Sequence, residues 1–308
     1  MNKAVVIFRL SRPLNALIIV AALIITRWVT SDILEDAGIP LQIRFIDFLL
    51  ACFIGTLILA AGNVINDIID RDIDVINKPE RALIPAHISI QHAWWVYIGL
   101  NVLAMVLSIY LAVHYQMTGY LIIPVLAILF LYIYSLYLKK SPIWGNVMIA
   151  ILCAGMPLVA FLIEYNSIMK LQQVDPDLFY KLELKAWSMI VFCFLLVLMR
   201  EIIKDCADIE GDKASQARTF PILVGPVWSN ILVHTLMILY LMTFIWLGLW
   251  RYFTFRHSFL LWAIGIYCLV VLVSYLLLQS NENGREKFNR ISTAIKIYLI
   301  FGLIFILF

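Results

Sequence analysis

Half of the 20 carboxylates in this chain lie in two short stretches of sequence. These acids are Asp67, Asp70, Asp72, Asp74 and Glu80 in the first stretch, and Glu201, Asp205, Asp208, Glu210 and Asp212 in the second. The segments NDIIDRDID (66–74, the first acidic motif) and KDCADIEGD (204–212, the second) match at every acidic position when shifted by 138 residues. Solvated loop acids with incidental spacing are the simpler interpretation of one such motif, but the second copy argues against it and favours an internal repeat.

The spacing in each motif predicts carboxylates on one face of a helix. Residues at i, i+3 and i+7 share a face. The acids with this spacing are Asp67, Asp70 and Asp74 in the first motif and Asp205, Asp208 and Asp212 in the second. Asp72 and Glu210 point elsewhere, so we expect them to be solvated. Because carboxylates at a helix C-terminus repel one another and oppose the helix dipole, a cation must compensate them.

Magnesium is the cation that suits these residues. It takes oxygen ligands, keeps several waters, and is usually shared between one or two carboxylates and the phosphates of a substrate. Two acidic faces that look at one another would hold two magnesium ions across a diphosphate. The five histidines do not cluster along the sequence, which argues against a histidine metal site.

The composition indicates that a lipid bilayer surrounds the helices that carry these motifs. The chain has 308 residues, of which 63% are hydrophobic and 14% charged, whereas soluble domains carry about 25% charged residues. This composition excludes a soluble domain, a disordered protein, a nucleic-acid-binding domain and a secreted disulfide scaffold.

Nine segments have the roughly 20 apolar residues that a spanning helix needs. We therefore predict an all-α polytopic membrane protein, a single domain over residues 1–308, with two related halves (about 1–140 and 141–308) around a central cavity. The predicted spans are Leu14–Val29, Phe45–Ile65, Trp94–Val113, Gly119–Leu138, Ile143–Ile163, Ala186–Ile203, Val227–Trp250, Phe259–Leu278 and Ile291–Phe308. The stretch Glu164–Lys185 is expected to be a surface loop or an interfacial helix.

The basic residues predict the orientation of these spans. Most of the 23 lysines and arginines fall on one side of the membrane, together with both acidic motifs. Because positive charge accumulates in cytoplasmic loops, we expect the N-terminus and both motifs to be cytoplasmic.

At its acidic motifs the chain resembles the UbiA superfamily of intramembrane prenyltransferases. The signature NDxxDxxxD with a basic, proline-containing loop is present as NDIIDRDIDVINKPERALIP, and DxxDxxxD is present within KDCADIEGDKASQARTFPI. RPLN (12–15) and YSLYLKK (134–140) also match. The second motif is most similar to the geranylgeranylglyceryl phosphate geranylgeranyltransferase branch, also called the digeranylgeranylglyceryl phosphate synthases. The segment ALIPAHIS departs from the commoner Pro-Leu-Pro-Ser-Gly type.

The resemblance implies magnesium-dependent transfer of a prenyl group from its diphosphate to a lipophilic acceptor within the membrane lipid. Geranylgeranylglyceryl phosphate is the favoured acceptor, and no nucleic acid takes part. The implied metal ligands are Asn66, Asp67, Asp70, Asp74, Asp205, Asp208 and Asp212, of which Asp70, Asp74, Asp208 and Asp212 are assigned as catalytic. Asn66 offers a neutral oxygen where the repeat has Lys204, which hints that the second half also pairs with phosphate.

The implied substrate-binding residues are Arg12, Asn15, Arg81, Tyr134, Lys139, Lys204 and Arg218. The positive-inside bias explains the basic members of this set equally well. Tyr134 is a candidate to stabilise an allylic cation through its ring, although interfacial tyrosines are common in membrane proteins.

Three other functions remain open at the level of sequence. An aromatic acceptor, as in quinone biosynthesis, would need the same metal site. A cation-coupled transporter also contains repeats and intramembrane acids, but its acids are expected near mid-span, whereas both motifs here follow an even-numbered span and leave on the same side. An inactive scaffold would retain the motifs without turnover.

Overall fold

The computed structural model describes residues 3–77, 82–255, 258–280 and 284–307, and no β-strand occurs among them. The all-α prediction is confirmed. The helices are α1 (Lys3–Leu10), α2 (Pro13–Asp36), α3 (Phe45–Ile69), α4 (Arg71–Asn77), α5 (Ile90–Tyr115), α6 (Gly119–Leu136), α7 (Trp144–Ile163), α8 (Tyr165–Val174), α9 (Pro176–Ala207), α10 (Ile209–Ala214), α11 (Phe220–Phe255), α12 (Ser258–Ser280) and α13 (Arg285–Leu307).

Each predicted span coincides with one of these helices. Within the described chain, seven helices are long and apolar enough to cross a membrane, namely α2, α3, α5, α6, α7, α9 and α11. Helices α12 and α13 lie where the eighth and ninth spans were predicted, although the predicted end at Phe308 is outside the described residues. The polytopic prediction is confirmed, and the count of nine is approximate. Helix α8 occupies the first part of the stretch Glu164–Lys185, and α9 begins at Pro176.

The long helices expose apolar side chains that lipid would cover. Trp95 and Val102 on α5 are 66% and 56% exposed, and Val227 and Trp246 on α11 are 67% and 58% exposed. Because water is a poor solvent for such continuous apolar faces, they fit helices that contact lipid.

The chain forms two compact units. The first comprises Met1–Lys139 and Met156–Glu183, and the second comprises Lys140–Gly155 and Leu184–Phe308. The first acidic motif belongs to the first unit and the second motif to the second. The division into related halves of about 1–140 and 141–308 stays a prediction.

Helix α3 is the central helix of the first unit and packs against α2, α5 and α6. At Gly62 an added Cβ would lie 2.9 Å from Leu131 Cδ1 of α6, so the two helices approach closely there. One turn further along, Ser135 Oγ donates a hydrogen bond of 2.9 Å to Asn66 Oδ1. The missing side chain at Gly62 thus allows α6 to contact the start of the first acidic motif.

The second unit has an aromatic core between α9, α11 and α12. The rings of Phe192 and Phe244 have centroids 4.9 Å apart, and those of Phe244 and Tyr267 are 4.7 Å apart. The hydroxyls of Tyr240 and Tyr267 lie 2.6 Å from each other, and Tyr267 Oη donates to the carbonyl of Tyr298 in α13. These contacts bury polar tyrosine atoms with partners, as the apolar surroundings require.

A buried ion pair joins α2 to the α7–α8 junction in the first unit. Arg27 Nη1 donates to Glu164 Oε1 at 2.9 Å, and the backbone N–H of Gln42 donates to Glu164 Oε2 at 2.5 Å. Arg27 also donates to the Ile43 carbonyl and lies over the Phe48 ring at 4.6 Å. Burial raises the pKa of the Glu164 carboxyl above its ordinary value, and hydrogen bonds from Gln42 and Arg27 oppose this shift.

We predict that Glu164→Ala destabilises the protein far more than Arg27→Met does. A buried guanidinium cannot lose its proton, and leaving one charge of a buried pair without its partner costs about 3–5 kcal/mol. The Glu164 carboxyl, whose pKa burial already raises, can instead be neutralised by protonation when Arg27 is removed.

Thermal denaturation in detergent measures this difference, with Glu183→Ala at an exposed carboxylate as the control. The control should melt like the wild type. Equal melting temperatures for Glu164→Ala and the control would contradict the buried-charge explanation.

Candidate metal and diphosphate site

The first acidic motif crosses a helix break. Helix α3 ends at Ile69 and α4 begins at Arg71, and Asp70 lies between them with φ −87° and ψ 1°. The Asp70 N–H donates to the Asn66 carbonyl at 2.8 Å, and the Asp74 N–H donates to the Asp70 carbonyl at 2.8 Å. The uninterrupted helix face expected from the spacing is therefore replaced by two helices that meet at the middle acid.

The second acidic motif has the same break at the matching residue. Helix α9 ends at Ala207, α10 begins at Ile209, and Asp208 between them has φ −105° and ψ 10°. The Asp208 N–H donates to the Lys204 carbonyl and the Asp212 N–H donates to the Asp208 carbonyl, both at 3.0 Å. The internal repeat seen in the sequence extends to the backbone, and we refer to Asp70 and Asp208 as the break acids.

The helix dipole gives a physical reason for the break. On a continuous helix all acids of a motif would lie at its negative C-terminal end, which is unfavourable. The break starts a new helix, so that Asp72 and Asp74 lie in the first turn of α4, where the dipole favours negative charge. Glu210 and Asp212 have the same position in α10.

Basic side chains neutralise the acids of the first motif. Arg12 Nη2 donates to Asp67 Oδ1 at 2.5 Å, and Lys139 Nζ donates to Asp70 Oδ2. The Asp70 side chain is only 6% exposed, so this pair is in a partly dry environment. Arg12 is the N-cap residue of α2, immediately before Pro13, and its backbone is left-handed with φ 51°. Such a conformation is costly for a residue with a side chain, and here it accompanies the contact with Asp67.

The second motif has a different set of partners. Arg285 Nη2 donates to Asp208 Oδ1 at 3.2 Å, and the buried Asn146 donates through Nδ2 to Asp205 Oδ2 at 2.7 Å. Lys204 donates to Glu201 Oε2 at 2.7 Å. Lys204 thus contacts a buried carboxylate one turn before the motif.

The remaining predicted residues have varied surroundings. Tyr134 is buried next to Ser135 on α6, and the Asn15 N–H donates to the Arg12 carbonyl at 2.9 Å. Arg218 has an exposed side chain, and its backbone N–H donates to the Lys140 carbonyl. Asp72 and Glu210 are exposed, as predicted from the helix face. Glu80 and Arg81 lie outside the described residues.

Four residues that contact the acidic motifs or adjoin them were not assigned from the sequence. They are Ser135, Asn146, Glu201 and Arg285. Asn146 and Glu201 carried a usable signal, because polar residues in apolar spans are costly and commonly functional. Ser135 and Arg285 show no such signal in the sequence. Ser135 is one of many serines in the predicted spans, and Arg285 fits the positive-inside bias.

The chemistry of these residues fits magnesium. The side chains predicted to bind metal in both motifs offer oxygen atoms as ligands. Three of these acids, Asp67, Asp70 and Asp208, each contact a basic side chain. Within the described ranges, no three or more Asp, Glu, His or Cys side chains lie close enough to hold a metal by themselves. Magnesium suits such sparse sites because water and substrate phosphates complete its six ligands.

Comparison with known proteins identifies the family. The model of the UbiA prenyltransferase family matches residues 33–300. The digeranylgeranylglyceryl phosphate synthase of Korarchaeum cryptofilum is 31% identical over 236 residues, 77% of this chain and 73% of the relative. The enzyme of the same name from Methanobrevibacter smithii is 28% identical over 299 residues, 95% of this chain and 93% of the relative.

Solved structures agree with this relationship. A digeranylgeranylglyceryl phosphate synthase structure is 26% identical with a TM-score of 0.66, covering 100% of this chain and 98% of that one. A UbiA homologue from Aeropyrum pernix K1 shares the fold at 17% identity and a TM-score of 0.64, covering 99% and 98%. Since the family model covers most of the chain, the protein belongs to the UbiA prenyltransferase family and is an integral membrane enzyme.

Proposed function

We propose that the protein transfers a geranylgeranyl group from geranylgeranyl diphosphate to geranylgeranylglyceryl phosphate at the cytoplasmic side of the membrane, with magnesium as cofactor. The observation that carries the proposal is the repeated pairing of a break acid with a basic side chain, Asp70 with Lys139 and Asp208 with Arg285. A magnesium diphosphate needs carboxylates that bind the metal and basic groups that bind the phosphate oxygens. The relatives named digeranylgeranylglyceryl phosphate synthase support the choice of acceptor.

The acidic motifs supply the metal ligands in this proposal. The ligands are Asn66, Asp70 and Asp74 in the first motif and Asp208 and Asp212 in the second, with Asp67 and Asp205 as further ligands or as groups that orient them. A UbiA homologue from Archaeoglobus fulgidus has been solved with Mg²⁺ and dimethylallyl diphosphate. Bound at these acids, two magnesium ions would neutralise the diphosphate and stabilise the charge that develops on it.

The basic residues beside the acids bind the diphosphate oxygens. Lys139 and Arg12 lie at carboxylates that the metal would share, so their N–H groups are proposed to turn to the phosphate oxygens when the metal is bound. Lys204, Arg218, Asn15 and Arg81 are proposed to bind diphosphate or acceptor phosphate. Tyr134 is proposed to face the allylic carbon and stabilise its positive charge.

The reaction breaks the bond between the allylic carbon and the diphosphate oxygen, and the electron pair leaves with the diphosphate. The free hydroxyl of the glyceryl acceptor then forms an ether bond to that carbon, and its proton passes to the departing diphosphate. Water must be kept away from the cation. Val64 and Ile68 beside the first motif pack with Val6 and Leu10 in a buried cluster, and we propose that this apolar packing limits the access of water to the site.

We predict that Asp70→Asn and Asp208→Asn each reduce turnover by about 100-fold or more, because losing one negative oxygen weakens both metal binding and charge stabilisation. Release of diphosphate from geranylgeranyl diphosphate in the presence of acceptor measures the effect. Asp72→Asn and Glu210→Gln, at exposed acids of the same motifs, are matched controls that should retain activity.

Correct insertion of each variant is checked by gel filtration in detergent before activity is compared. Full turnover by both break-acid variants would contradict the assigned metal site. If the two controls also lost activity, turnover would depend on the total negative charge of the motifs and not on the break acids in particular.

We also predict which acceptor is used. Purified protein is incubated with geranylgeranyl diphosphate, magnesium and one of three acceptors: geranylgeranylglyceryl phosphate, 4-hydroxybenzoate or homogentisate. Mass spectrometry should detect a product with the first acceptor. Chelation of magnesium should abolish that product. A product with an aromatic acid alone would overturn the proposed acceptor. Ion-driven flux in proteoliposomes without any prenyl product would instead favour a transporter.

A further inference from the structure

Arg285 makes a long-range contact with the second break acid. Its Nη2 atom donates to Asp208 Oδ1 at 3.2 Å across a separation of 77 residues. The side chain of Arg285 is 37% exposed and that of Asp208 is 16% exposed, so the pair lies at the boundary between the packed helices and their surroundings. Neither side chain is therefore fully enclosed by the protein.

The same pairing occurs at the corresponding place in the first unit. After Asp70 the chain forms the short helix α4 and two long helices, α5 and α6, before it reaches Lys139. After Asp208 it forms the short helix α10 and two long helices, α11 and α12, before it reaches Arg285. Each basic residue then contacts the break acid of its own unit. The repeat thus includes a cation as well as the acids.

The stability of α13 does not explain why residue 285 is an arginine. It is the first residue of α13, where the positive end of the helix dipole disfavours a cation. The positive-inside bias accounts for a basic residue in this loop, but not for its contact with a break acid. Arg290 on the same helix shows the ordinary case, since it pairs with Glu286 one turn away at 2.5 Å.

We propose that Arg285 binds the prenyl diphosphate at the second motif, as the counterpart of Lys139 at the first. This inference rests on the proposed function. A planar guanidinium donates two parallel hydrogen bonds to a phosphate. Arg285 holds the Asp208 carboxylate in place, and when magnesium shares that carboxylate the guanidinium turns to the phosphate oxygens. Its exposure leaves room for this rotation.

Binding of an unreactive analogue, geranylgeranyl thiolodiphosphate, at saturating magnesium tests the proposal. Arg285→Gln should raise the dissociation constant about tenfold or more, because a charge-assisted hydrogen bond to phosphate is lost. Arg285→Lys should recover part of the affinity. Arg290→Gln, which removes an equal charge from the same helix, should bind like the wild type.

Turnover provides a second readout. Arg285→Gln should raise the KM for geranylgeranyl diphosphate and leave the KM for the acceptor unchanged. If Arg285 only neutralised Asp208, its loss would change the magnesium affinity or the melting temperature but not the affinity for the analogue at saturating magnesium. That result would overturn the proposal.

The outcomes separate this inference from the proposed function. If the wild type binds the analogue and forms product while Arg285→Gln binds it equally well, the role of Arg285 is refuted and the proposed function stands. If the wild type does not bind the analogue with magnesium, both are refuted. If Arg285→Gln does not fold, Arg285→Lys provides the test, because it keeps the charge but loses the paired hydrogen bonds. An affinity of Arg285→Lys for the analogue equal to that of the wild type would overturn the proposal.

Discussion

The cost of placing several carboxylates at the end of a membrane helix governs the structure around both motifs. Negative charge there is opposed by the helix dipole and by the low dielectric of the apolar surroundings. The protein reduces this cost by breaking each helix at the middle acid and by pairing that acid with a distant cation. The negative charge of each break acid is therefore balanced by a side-chain cation.

Other contacts in each unit hold neighbouring residues of the motifs. In the first unit, the close approach at Gly62 brings Ser135 to Asn66, and the left-handed backbone of Arg12 accompanies its contact with Asp67. In the second, Asn146 holds Asp205. A neutral amide at Asp205 and a guanidinium at Asp67 make the two repeats chemically unequal, which agrees with the different residues, Asn66 and Lys204, that begin the two motifs.

The sequence predicted the helices well because apolar runs of bilayer length leave few alternatives. It also predicted that Asp72 and Glu210 are solvated, from periodicity alone. The sequence does not predict the break at Asp70 and Asp208, since the i, i+3, i+7 spacing is compatible with a continuous helix. Arg285 was missed because a contact across 77 residues leaves no local pattern.

The central proposal is that magnesium-dependent binding of the prenyl diphosphate needs both break acids. The most direct measurement is magnesium-dependent binding of geranylgeranyl thiolodiphosphate to Asp70→Asn, Asp208→Asn and the double variant. If binding needs both acids, each substitution alone removes most of the affinity and the double variant loses little more. Losses that add in full, or a wild-type affinity in either single variant, would contradict it.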